Sequence, residues 1–115
     1  MILSETAESI LRRWIAAREE GDEQFTEDGI ESVRRVLERF EADAHVAKNN
    51  DDSILRVLSK TVWDLGVLGG SDGRYGCFIE TDEREELVPY LLGVVRDCGL
   101  TLEESEDPTE SYRRW

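Results

Sequence analysis

GVLGGSDGRYGCFIETDEREE, residues 66–86, is the stretch whose reading decides the fold. Five of the nine glycines fall between Gly66 and Gly76, and five carboxylates fall between Glu80 and Glu86. Between these clusters RYGCFIE, 74–80, has the aromatic and β-branched character of a short strand. Alternation puts Tyr75, Cys77 and Ile79 on one face and Phe78 on the other, so a strand here expects cover on both sides. The glycines at 66, 69, 70 and 73 read as the end of a preceding helix, because they open backbone conformations closed to other residues. They do not read as a phosphate cradle. The loop lacks a Lys-Ser/Thr ending and precedes a strand, whereas anion binding of that kind needs a helix N-terminus.

Downstream, Thr81 or Asp82 caps a helix, with Asp82 and Glu85 at capping-box spacing and Glu83 and Glu86 in the first turn, where the helix dipole favours anions. Leu87, Leu91, Val94, Val95 and Cys98 form its inner face and Gly99 ends it. Pro89 lies inside that span and predicts a kink, since proline removes one hydrogen bond and crowds the preceding turn. LTLE, 100–103, is long enough for a second strand, reached through a helical crossover and therefore parallel to the first. DPTE, 107–110, combines a capping Asp, Pro at the first helical position and Glu at the third. Tyr112 and Trp115 then read as anchors of a terminal helical turn.

Upstream, the spacing predicts a helix over 5–20, capped by Ser4 and stopped by Gly21, with Ala7, Ile10, Leu11, Trp14 and Ile15 on its buried stripe. Ile2 and Leu3 precede the cap as a staple or a short strand. An acidic loop, GDEQFTED at 21–28, is pinned by Phe25. From Thr26 to Lys48, Ile30, Val33, Leu37, Phe40, Ala44 and Ala47 recur at heptad-like spacing, the packing face of a bundle helix; the same seam would also serve a homodimer. After the turn at Asn49–Asp52, a helix over 53–65 carries Ile54, Leu55, Leu58, Val62 and Leu65 inward, widened by Val57 and Trp63. It is the most apolar of the helices and the expected centre of the core.

A chain of 115 residues suits one domain over 1–115, long enough to bury a core without metal or disulfide staples. The formal net charge of −13, from 27 acidic and 14 basic residues, argues against phosphate-backbone and anionic-membrane binding, which draw on clustered Lys and Arg. It favours encounter with a basic protein. No leader-like segment and no apolar run of membrane length is present, so a cytoplasmic location is expected. Cys77 and Cys98 sit among apolar neighbours and read as buried reduced thiols. His45 is the only histidine, without a second ligand at metal spacing, and reads as structural.

Nucleophilic catalysis would have to recruit His45, and nothing in the sequence places Ser or Cys beside it. Glu80, Asp82, Glu83, Glu85 and Glu86 could supply divalent-cation ligands or an acid and base pair, but their spacing fits no calcium loop. A helix start explains most of them. The expectation is therefore no catalytic residue, no metal and no cofactor, with the acidic patches 19–28, 80–86 and 103–110 as surface for a partner. RYGCFIETDEREEL and the closing DPTESYRRW resemble small acidic bacterial proteins of the immunity-protein kind, which pair with toxins. The resemblance implies a toxin inhibitor acting by protein binding.

The sequence thus predicts an α+β domain, mostly α, with four main helices, a small two-stranded sheet and a short C-terminal helical turn. Its function is expected to be partner binding, with Glu80, Asp82, Glu83, Glu85, Glu86, Asp72 and Arg74 as the contact residues. A DNA-mimic inhibitor and a small enzyme or ligand-binding domain built on the 80–86 carboxylates are the alternatives.

Overall fold

The computed structural model describes residues 3–103 and 105–115. It contains four helices, α1 (Glu5–Glu19), α2 (Glu27–Val46), α3 (Asp51–Gly69) and α4 (Thr81–Asp97). Among the described residues there is no strand, so the fold is all-α and the expected two-stranded sheet does not form.

Successive helices run in opposite directions. Arg34 of α2 reaches Glu8 of α1, while Arg18 at the end of α1 stands 4.0 Å from Glu27 at the start of α2. The caps that set these helices are local. Ser4 Oγ accepts from Ala7 N–H at 3.4 Å, Thr26 Oγ1 from Gly29 N–H at 3.0 Å, and Asn50 Oδ1 from Ser53 N–H at 3.1 Å. Each satisfies a first-turn donor that the helix itself leaves open. Ile2 lies outside the described residues; Leu3, its neighbour, is buried in the core.

The α2 seam from Ile30 to Ala47 is buried throughout and spent within the chain, packed most extensively against α3. Glu41 ties three helices together at one carboxylate. It accepts from Ser4 N–H at 2.9 Å and Ser4 Oγ at 2.6 Å at the start of α1, and from Tyr90 Oη at 2.6 Å on α4. Tyr90 also meets Phe40 edge-on at 6.0 Å between centroids.

The 66–86 stretch departs most from its sequence reading. α3 does not stop at Leu65 but continues to Gly69, because Gly66 and Gly69 are packing positions rather than breakers. A β-carbon on Gly69 would stand 2.6 Å from the Phe78 ring, and one on Gly66 would touch Arg114 and Trp115. The helix therefore presents a flat surface to the chain that returns over it.

The 74–80 segment is not a strand because its donors are taken by the end of α3 instead of a neighbouring strand. Arg74, Tyr75 and Ile79 N–H donate to the carbonyls of Val67, Leu68 and Gly69 at 2.8, 3.0 and 2.9 Å. Those are carbonyls that a helix C-terminus leaves open. Phe78 and Ile79 are both buried, as cover on both sides expects, but Cys77 is exposed although alternation puts it on the Ile79 face, which corrects the expectation of a buried Cys77. Cys98 is buried, and both thiols are free. Leu100–Glu103 likewise forms no strand; Leu100 N–H closes the end of α4 on Val95 C=O at 3.0 Å.

Pro89 is accommodated inside α4, which runs as one helix through it. On α3, Leu55 and Trp63 face outward rather than inward. The C-terminal segment forms turns over 108–112. There Asp107 accepts from Thr109 N–H at 2.9 Å and pairs with Arg113 at 3.0 Å. Trp115 anchors it, donating Nε1–H to Val62 C=O at 3.2 Å, whereas Tyr112 is exposed.

The candidate acidic surface

The structure brings two of the three acidic segments to one end of the bundle. Phe25, from the α1–α2 connection, and Phe78, from the α3–α4 connection, meet at 6.1 Å between centroids over Trp14 of α1. Trp14 stacks on Phe25 at 5.5 Å and meets Phe78 edge-on at 5.9 Å. All three are buried, and such offset and edge-on pairs stabilise beyond their area alone. Ser32 Oγ and Tyr75 Oη, 3.3 Å apart, add a polar tie between α2 and the α3–α4 connection. The third segment starts at the far end, where Arg96 donates to Glu103 C=O at 3.2 Å and Asn49 N–H to Cys98 C=O at 2.8 Å.

At the shared end Glu19, Glu20, Asp22, Glu23, Glu27 and Asp28 are all exposed, with no Lys or Arg among residues 19–28. The cation that approaches them is Arg18, at 4.0 Å from Glu27. Solvent screens a pair of that length almost completely. Gly21, at φ 101°, turns the chain so sharply that these carboxylates stand on both sides of one turn.

The five carboxylates of 80–86 divide by duty. The capping box closes at Glu80 and Glu83, two residues before the Asp82 and Glu85 pair expected from spacing, and Glu83 Oε1 accepts from Glu80 N–H at 2.9 Å. Glu83 is buried by its neighbours. Glu86 turns to α1 and pairs with Arg13. Asp82 and Glu85 remain exposed, with no ion pair among the described residues. Asp72, at φ 58° in the preceding turn, is exposed at the same end, and so is Arg74.

Burial raises the Glu83 carboxyl pKa above the ordinary carboxylate value; hydrogen bonds from the backbone of Glu80 and Glu83 lower it in part, and the charges of Asp82 and Glu80 push it up. The folded chain therefore holds this proton to higher pH than the unfolded chain. Stability falls as pH rises from the ordinary carboxylate range through the raised value, and ionised Glu83 opposes folding at neutral pH. Glu83→Gln keeps an acceptor for Glu80 N–H. Its thermal midpoint should exceed that of the native chain at neutral pH and converge on it in acid, a comparison calorimetry across that range would settle.

The other side of the α4 start is basic. Arg84, Arg113 and Arg114 line a hollow of about 630 Å³ with Cys77, Glu80 and Trp115. Between α1 and α4, a second hollow of about 460 Å³ is lined by Ser9, Arg13, Glu86 and Tyr90. Its polar groups are engaged. Arg13 holds Glu86, and the Tyr90 hydroxyl, its pKa raised by burial and then by Glu41, remains a protonated donor to that carboxylate. His45 is exposed on α2. Among the described residues no group of three or more His, Cys, Asp or Glu side chains is placed to hold a metal ion, and no helix is long and apolar enough to cross a membrane.

Comparison of the chain with protein-family models, curated proteins and solved structures finds no match.

Proposed function

We propose that the chain is a non-catalytic protein-binding module whose acidic end receives a basic surface of a partner, as an immunity protein receives a toxin domain. The observation that carries this reading is the run from Glu19 to Asp28, which holds six carboxylates and no Lys or Arg and is approached by Arg18 at Glu27, joined at one end of the bundle by exposed Asp72, Asp82 and Glu85. Folding explains the other carboxylates of 80–86: Glu80 and Glu83 form a cap and Glu86 an ion pair. Asp82 in the first turn of α4, Glu27 and Asp28 in that of α2, and Asp22, which accepts from Gln24 N–H, also have local duties, and the charge left over is that of Glu19, Glu20, Glu23, Asp72 and Glu85. Concentrated charge of one sign destabilises a fold by self-repulsion while raising the encounter rate with the opposite sign.

The test uses the product of the reading frame next to this gene and a chain carrying Asp22→Lys, Glu23→Lys, Asp82→Lys and Glu85→Lys. Stopped-flow association at low salt should slow by about tenfold or more in the variant, with a flatter salt dependence. Failure of the neighbouring product to bind would remove the immunity role. Association unaffected by the reversals would remove the acidic end as its seat.

A further inference from the structure

We draw no further inference here: the strongest candidate, the exposed apolar stripe of Leu55, Trp63 and Val67 on the outer face of α3 with Arg114 over the Trp63 ring, carries nothing because nothing in the structure shows what covers it.

Discussion

Phe78→Ala is expected to lower the free energy of unfolding by about 3–5 kcal/mol, the usual consequence of deleting a buried aromatic ring. Phe78 is 2% exposed, and its ring closes the contact among Trp14, Phe25 and the flat end of α3. Its loss leaves a cavity bordered by rigid groups, which limits collapse. The Trp14 indole N–H is buried without a hydrogen-bond partner, so water admitted to the opened site would satisfy it and offset part of this loss. Urea denaturation should show a lower midpoint at similar slope. Cys77→Ala next to it, at an exposed position, should move the midpoint little; an equal loss at both positions would contradict the packing described here.

Gly69→Ala should cost about 1–3 kcal/mol, the range for overpacking a filled core. The added methyl would stand 2.6 Å from Cε1 and Cζ of Phe78 and 2.9 Å from Cε2. Phe78 cannot swing aside, since Trp14 and Phe25 hold its other edges. Gly93→Ala on α4 provides the opposite sign. Nothing lies within 4 Å of its added β-carbon, so the higher helix propensity of alanine should stabilise by about 0.5–1 kcal/mol. If the clash with Phe78 is the cause at Gly69, the penalty should largely vanish in a Phe78→Ala background, a coupling that a double-mutant cycle measures directly.

The parts of the fold legible in the sequence are those set by local chemistry. Ser4 caps its own helix, α2 begins next to Thr26, and the α2 seam reads correctly from Ile30 to Ala47 because helical periodicity and burial coincide there. The misreadings cluster where distant residues decide. Gly66 and Gly69 look like a helix end in isolation, yet they are helical because Phe78 and the C-terminal segment need a surface without side chains. RYGCFIE has strand composition, but among the described residues no second strand competes with the open carbonyls at the end of α3.

That bond pattern also explains the misplaced cap. Ile79 N–H on Gly69 C=O fixes where α4 begins, and so puts Glu80 at the cap although glutamate is not a favoured cap residue. The candidate acidic site was legible as composition and not as a place. Proximity of 19–28 to 80–86 depends on Phe25 meeting Phe78, while the separate duties of Glu83 and Glu86 depend on burial and on Arg13. Trp63 reads as inward because α3 is apolar over more than half its circumference, and its exposure is set by which side of that helix the neighbouring helices cover.

Trp14, Phe25 and Phe78 have a consequence for association as well as for stability. They fasten two connecting segments, each of which would otherwise fluctuate as a loop, to the same helix. The entropy of ordering those backbones is spent when the chain folds, and a partner that meets the acidic end does not have to supply it again. Loosening the triad without unfolding the chain, for instance by Phe25→Leu, would leave every carboxylate in the sequence and still weaken their collective use.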